Sequence, residues 1–352
     1  MQTTVFNKVL FIGPDNKYGG MGSVMRMYFK CIPGYKFIAT HANSGFPKML
    51  FFFVALFKIN IRLLFDHEIE IIHIHSASKG SFARKIIVAF IGKLWNKKIV
   101  FHIHSGSFKT FCEKSVWLKK IVKKSLQQVD LLVCLSKEWE SFFRNELSLS
   151  NIEVIGNPIE IGEINNGFIK SDNIRLLFLG NISDNKGIFD LIQYLEKNKY
   201  FLNNQIQISI AGIGETKRLI NYIDQSSHRS QYNYLGWLDN VTKKTVFMDT
   251  DIYILPSYFE GLPVSILEAM GFGKPIIATH VGGIPSIVQN NFNGWLFEPG
   301  NFSQLDSIFE EIFDLNFPIK DYIVNSYLSA SSFSTECIMD QLSKNYNRLL
   351  SI

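Results

Sequence analysis

The sequence predicts an α/β protein made of two doubly wound domains facing each other across a cleft, and three observations predict it. Short apolar runs alternate with helical patterns through the first 158 residues, as parallel βαβ units require. Those runs are apolar almost throughout, which marks strands covered on both faces. After a break at 159–173 the same alternation begins again. A length of 352 residues, 47% of them hydrophobic and 19% charged, suits two separate cores.

In the first half, "KVLFIG" (8–13), "EIIHIH" (70–75), "KIVFHIH" (98–104) and "DLLVCLS" (130–136) read as buried strands ending in Gly, His or Ser. "GSFARKIIVAFIGKLW" and "SVWLKKIVKKSLQQV" read as the helices between them. "MLFFFVALF" (49–57) is too short for a bilayer, which needs about 20 residues. It reads as a core helix, with an interfacial helix as the second reading. "MQTTVFNKVLFIGPD" lacks the pattern of a secretory leader. The four scattered cysteines then read as free thiols of a reducing cytoplasm.

"GNPIEIGEINNGFIKSDN" (156–173) reads as a linker. Beyond it, "IRLLFLG", "QIQISIAG", "YNYLG", "DIYILPS", "KPIIATH" and "NGWLFEPG" read as six further strands of a domain spanning 174–330. The helical stretch 331–352 is expected to pack back on domain 1–158.

Charge is uneven. Residues 1–158 carry 22 Lys and Arg against 10 Asp and Glu, whereas 159–352 carry 14 against 21. A basic first half suggests an anionic partner: nucleic acid, anionic lipid or a phosphorylated substrate. No nucleic-acid-binding module accompanies it. "EKSVWLKKIVKKSLQQV" (113–129) sets Trp117, Leu118, Ile121, Val122 and Leu126 at helical spacing among five lysines, so it suits an anionic membrane surface or an ordinary solvated face.

Ligands of doubly wound sheets sit beyond the carboxyl ends of the strands, so each strand exit is a candidate. The first, "FIGPDNKYGGMGSV", lacks the dinucleotide fingerprint, but Gly19 and Gly20 at a helix start offer backbone N–H groups to an anion. His73, His75, His102 and His104 form two H-I-H patterns whose members share a strand face. Four imidazoles could crowd there around a metal, but with no acidic or Cys ligand beside them they read as hydrogen-bonded loop anchors. His104, before a glycine turn, is the one placed to meet a substrate. In the second half, Lys186 and Gly187 precede a helix and suit a phosphate. Gly212 in "AGIGETKRL" and Gly236 in "YLGWLDN" mark exits, and either could place backbone against a base. Asp249 and Asp251 form an Asp-x-Asp, but Asp251 opens its strand and so lies at the wrong end for metal chemistry in the cleft.

"PSYFEGLPVSILEAMGFGKPIIATHVGGIP" holds the sharpest signal. Pro263 suits a first helical position, leaving Glu260 in the loop before it. Glu268 falls about 7–8 Å along the helix axis at 1.5 Å per residue. An ionised carboxylate can accept both hydrogens of a vicinal diol.

This stretch resembles the E-x7-E region of the retaining, nucleotide-sugar-dependent glycosyltransferases of family 4, in the GT-B group. "YGGMGSV", "IIHIHSASKGSF", "FHIHSGSF", "LGNISDNKG", "AGIGE" and "NGWLFEPGN" fall in the expected order, and the H-I-H segments look like those of bacterial O-antigen and capsule enzymes. The resemblance implies two Rossmann-like domains, a UDP- or GDP-sugar donor, no cofactor and no required metal. It implies that Glu268 holds the donor ribose, and that Glu260, with the backbone of Gly261 and Leu262 ahead of Pro263, faces the donor sugar. Lys186 would neutralise the diphosphate, His104 would touch the reacting sugar, and Gly19 and Gly20 would approach the phosphates. Asn181 stands where an arginine is common, and Ser286 where a glutamate is. The implied reaction is hexosyl transfer, with retention, to a hydroxyl of a lipid-diphosphate-linked saccharide, by a cytoplasmic enzyme peripheral on the inner membrane face. A sugar-nucleotide epimerase and a non-catalytic nucleotide-sugar-binding protein are the other readings of the same fold.

Overall fold

The computed structural model describes residues 5–15, 19–42, 48–164 and 173–351. The chain divides into two compact units, Met1–Pro158 with Thr335–Ile352, and Ile159–Ser334. The first unit holds strands β1 (Val9–Asp15), β2 (Lys36–Ala42), β3 (Ile71–Ser76), β4 (Lys98–Ile103), β5 (Leu131–Cys134) and β6 (Ile152–Val154). All are parallel, in the order β2-β1-β3-β4-β5-β6. Its helices are α1 (Gly20–Cys31), α2 (Lys48–Phe65), α3 (Gly80–Leu94), α4 (Phe108–Cys112), α5 (Val116–Leu126) and α6 (Lys137–Leu147). Edge strands β2 and β6 escape the sequence reading: β2 mixes polar with apolar residues, and β6 has three residues.

Right-handed crossovers put α1 on one face of this sheet and the other helices on the opposite face. Strand alternation then gives the faces different chemistry. Leu10, Ile12, Ile72, Ile74, Ile99 and Phe101 join one apolar core with residues of α2 to α6. The other face carries Phe11, His73, His75 and His102, with His104 just past the end of β4.

The second unit holds β7 (Ile174–Leu179), β8 (Ile206–Ala211), β9 (Tyr232–Gly236), β10 (Ile252–Leu255), β11 (Ile276–Thr279) and β12 (Gly294–Phe297). These are the six runs read from the sequence, parallel in the order β12-β11-β10-β7-β8-β9. Helices α7 (Ile188–Leu195), α8 (Lys199–Leu202), α9 (Thr216–Gln225), α10 (Asn240–Met248), α11 (Val264–Gly271), α12 (Gln304–Phe313) and α13 (Ile319–Ser331) accompany them. Of the expected linker, Ile159 bridges to Ser334 and the Gly162 N–H donates to Gly271 O. Residues 165–172 of it lie outside the described residues.

Helix α14 (Thr335–Leu350) belongs to the first unit. Its Tyr346 hydroxyl lies 2.5 Å from His73 Nδ1, and its Arg348 pairs with Glu153 at 2.9 Å. Tyr346 and Tyr28 of α1 thus roof the imidazole layer. The layer is bonded within itself: His73 Nε2 to His102 Nδ1 at 3.3 Å, and His75 Nδ1 to His104 Nε2 at 2.8 Å.

Helix α2 corrects the core reading of "MLFFFVALF". Phe52, Ala55, Ile59 and Leu63 are buried, but Phe53, Phe57, Ile61 and Phe65 point outward, Phe57 with 69% and Phe65 with 75% of its surface exposed. Each phenylalanine left in water forgoes about 1.5–3 kcal/mol of burial. A helix apolar all round has no polar stripe to reveal its phase. No helix among the described residues is long and apolar enough to cross a membrane.

Burial keeps the four imidazoles neutral, pushing His73 down to about 3, His104 to about 4, and His75 and His102 well below the ordinary value. Unfolded, each takes a proton near pH 6.5. The unfolded chain therefore binds more protons below pH 6.5, and stability falls with pH by about 1.4 kcal/mol per unit per histidine until the folded-state value is reached. Urea unfolding from pH 7.5 to 4.5 should show this slope, and His73→Leu should lessen it by about one proton. Constant stability from pH 7 to 5 would contradict the buried, neutral layer.

Candidate active site

The second sheet grows from β7 to β8 and β9, then returns to lay β10 against the other side of β7. Helices on the two sides of this reversal go to opposite faces and leave a crevice beyond the strand ends. Lys186 and Glu260 occupy those two exits. Gly187, with φ +68°, turns the β7 exit against β10, and a Cβ there would meet Pro256 O at 2.0 Å. Tyr258 N donates to Asn185 O at 2.9 Å. The turn carries Lys186 Nζ onto Glu260 Oε1.

Glu260 is buried, with 8% of its surface exposed. Ser257 Oγ donates to the same Oε1 at 2.7 Å, and Thr279 Oγ1 of β11 donates to Ser257 O at 2.5 Å. Gly282, with φ +57°, would place a Cβ 2.0 Å from Glu260 O, and Gly283 N donates to Gly261 O at 2.6 Å. Loops from three strands thus clamp the Glu260 turn. Glu260 Oε2 has no partner among the described residues and can accept from a ligand hydroxyl.

Pro263 precedes α11 in extended backbone and the helix opens at Val264, one residue later than the sequence reading placed it. Its first-turn amides lack intrahelical acceptors and suit an anion. Glu268 pairs with Lys243 of α10 at 2.5 Å. Buried Tyr253 lies near both carboxylates and donates to Leu179 O at 2.9 Å; burial pushes its hydroxyl above the ordinary range, and Glu260 and Glu268 add to the effect. Each glutamate therefore has its own lysine. Lys243 and Ser257 were missed because each belongs to an element whose local pattern carries no sign of its neighbour.

Beside this pair, the β7 and β8 exits are zipped together: Gly180 N donates to Ala211 O at 3.0 Å and Ile182 N to Ile213 O at 2.8 Å. Gly212, with φ +143°, would place a Cβ 1.8 Å from Gly180 O. Asn181 is exposed in the same loop. Asp251 accepts from Arg175 N, Nε and a terminal nitrogen at 2.8–3.0 Å, so the Asp-x-Asp anchors the amino end of the sheet.

The remaining candidates belong to the first unit. Gly19, with φ +91°, and Gly20 are exposed at the start of α1, while residues 16–18 of their loop lie outside the described residues. Both ring nitrogens of His104 are engaged, Nε2 by His75 and Nδ1 by Asn157 Oδ1 at 3.2 Å. Possible ligand nitrogens of His73, His75 and His102 lie within 4.8 Å of one another.

Residues 33–163 match the family described as Glycosyltransferase Family 4, and residues 163–324 the one described as Glycosyl transferases group 1. A Klebsiella pneumoniae relative, described as an uncharacterized protein in the cps region, is 25% identical over 269 residues, covering 70% of this chain and 71% of its own. An Escherichia coli relative, UDP-Gal:alpha-D-GlcNAc-diphosphoundecaprenol alpha-1,3-galactosyltransferase, is 26% identical over 261 residues, covering 67% and 64%. Among solved structures, the sucrose-phosphate synthase of Thermosynechococcus elongatus superposes with a TM-score of 0.78 at 15% identity, covering 97% of this chain and 99% of that one. Anabaena HepE in complex with UDP gives 0.76 at 18% identity, covering 98% and 100%.

The glycine geometry makes a prediction. Gly212→Ala should cost about 2 kcal/mol or more, because its Cβ collides with the Gly180 carbonyl. Gly236→Ala, with φ +66° and open space around it, should cost about 1–2 kcal/mol from backbone conformation alone. Thermal melts compare the two; equal shifts would refute the close approach of the β7 and β8 exits.

Proposed function

The chain belongs to the glycosyltransferases of family 4, on the GT-B fold, and we propose that it moves a hexosyl group from a UDP- or GDP-sugar to a lipid-diphosphate-linked saccharide. The acceptor is a hydroxyl of an undecaprenyl-diphosphate-linked sugar, transfer retains the anomeric configuration, and the product feeds a surface polysaccharide such as capsule or O-antigen. The observation that carries this reading is the Lys186–Glu260 pair at the β7/β10 reversal. The names of the Klebsiella and Escherichia relatives support the polysaccharide role.

Without donor, Lys186 and Glu260 neutralise each other. An arriving diphosphate competes for the ammonium, while Glu260 keeps the Ser257 hydroxyl and turns to a donor-sugar hydroxyl. As the sugar–phosphate bond breaks, negative charge grows on the leaving group, where Lys186 and the first-turn amides of α11 meet it. These groups balance the charge in a scheme that calls for no metal. Glu268, held by Lys243, accepts from the ribose diol. Gly261, Leu262 and Pro263 shape the backbone beneath the sugar, Asn181 and Gly212 border the nucleotide, and Gly19 and Gly20 serve the phosphates. His104 reaches the reacting sugar by giving up one of its two present partners. Leaving-group oxygen takes the acceptor proton in a same-face displacement.

A lipid-linked acceptor is met at a membrane, and the first unit has a surface for it. Phe53 and Phe57 of α2, Phe90 and Leu94 of α3, and Trp117 and Ile121 of α5 are exposed on the helix layer of one sheet face. The exposed charges among them are mostly cationic, Lys58, Arg62, Lys114, Lys120 and Lys124, with Glu113 beside Lys114 the anionic exception. Phenylalanines at the acyl boundary with lysines at the headgroups fit the cytoplasmic leaflet.

Glu268→Ala should abolish the thermal shift induced by UDP- or GDP-sugars. Glu260→Ala should lower kcat about 10²- to 10³-fold and leave donor binding within a few-fold. Near-native kinetics in both variants would refute these roles, and product analysis without acceptor separates transfer from epimerisation. In flotation assays the protein should bind vesicles containing anionic lipid, more weakly at high salt, and Phe53→Ser with Phe57→Ser should reduce binding. Absence of any lipid-dependent binding would remove the membrane surface from the proposal.

A further inference from the structure

Lys85 is a buried charge with no counter-ion. It lies on the sheet-facing side of α3 among Phe82, Val88 and Ala89, with none of its surface exposed. Its ammonium donates to Ser81 Oγ at 3.2 Å, and no carboxylate among the described residues pairs with it. The charge acting on it most is another cation, Arg84, whose own Nε is buried without a partner. An unpaired buried ammonium costs several kcal/mol. Burial and Arg84 accordingly push Lys85 down to about 7.

Ser81, which accepts from Lys85, donates its N–H to Ser78 O at 3.3 Å, and from Ser78 the strand exits supply further hydroxyls. Ser78, Ser105 and Ser107 are half-buried at the exits of β3 and β4, with hydroxyls 3.1–3.2 Å apart in a closed triangle. β3 adjoins β1 where the first sheet reverses direction, the place where doubly wound sheets bind ligands. The other titratable groups that Lys85 acts on are His75 of β3 and His104 just past the end of β4, both held neutral by burial. Two cations and three rotatable hydroxyls suit an oxyanion of more than one charge, and the donor diphosphate is already provided for by Lys186 in the other unit.

We propose that Lys85 and Arg84, with the hydroxyls of Ser78, Ser105 and Ser107, bind the diphosphate that links the acceptor saccharide to its lipid. This rests on the acceptor class proposed above. The bound diphosphate supplies the missing counter-charge and keeps Lys85 protonated, so acceptor binding tightens below pH 7 and weakens as Lys85 deprotonates above it.

The test compares one saccharide carried on a short prenyl diphosphate with the same saccharide on a neutral alkyl glycoside. The wild-type protein should favour the diphosphate acceptor at least tenfold in kcat/KM, and Lys85→Met should bring that ratio near one. Lys85→Arg should restore the preference and flatten its decline between pH 7 and 9. Ser105→Ala with Ser107→Ala, which leaves α3 untouched, should give an intermediate ratio. A ratio that survives Lys85→Met, including equal losses on both acceptors, overturns the proposal. Calorimetry with inorganic pyrophosphate, run with saturating UDP and GDP so that the donor-diphosphate site at Lys186 is occupied, separates this from failure of the transferase reading. Binding by wild-type and not by Lys85→Met supports the site even if neither acceptor is turned over. Equal binding by both, or binding by neither, overturns it, and the kcat/KM ratio shows whether free or lipid-linked diphosphate is the ligand recognised.

Discussion

The second unit is organised around the contact between Lys186 and Glu260. A carboxylate with 8% exposure is tolerable only with its charge compensated, and the lysine comes from a different strand exit. For the two to meet, the β7 loop must press on the β10 exit, which Gly187 permits and a Cβ would block at 2.0 Å. Gly282 does the same from β11. The pair and the glycines are thus one device: close backbone approach brings the charges together, and the charges compensate one another's burial. A site built this way is organised before any ligand arrives, which electrostatic stabilisation of a transition state requires.

The first unit distributes its basic excess differently. One sheet face is largely apolar beneath α2 to α6, and the opposite face carries imidazoles that burial keeps uncharged. Cations therefore sit on the outer helix surface or at the ends of the strands. Exposed lysines on α5 cost little, since water solvates them. Lys85 lacks that solvation, and burial instead favours its neutral form.

Much of this was readable in the sequence. The strands of the second unit show as apolar runs: β10 and β11 are buried throughout, and β7, β8 and β9 keep enough apolar positions to read as strands despite Arg175, Gln207 and Asn233. Glu260 and Glu268 stand out by their spacing around a proline and a helix start. The partner of Glu268 did not, because Lys243 is a helix residue whose meeting with α11 depends on tertiary packing. The outward turn of α2 was hidden for the opposite reason: uniform apolarity carries no phase. Lys85 could have been found, since it shares a helical face with Phe82, Val88, Ala89 and Gly92, where a charge is out of place.

Two lysines offered to diphosphates are thus set up by different physics. Lys186 already has a partner, so a donor bound as proposed would exchange with Glu260, and only the difference between the two pairings would be gained. Such an exchange spends little on ground-state binding and leaves the interaction to grow as the leaving group gains charge, which favours rate over affinity. Lys85 has no partner to lose. An anion reaching it would recover the whole cost of an uncompensated buried charge, which favours affinity and discrimination against an acceptor lacking that anion. The arrangement suits a transferase that must release its nucleotide after each turn yet select one kind of carrier from a crowded surface.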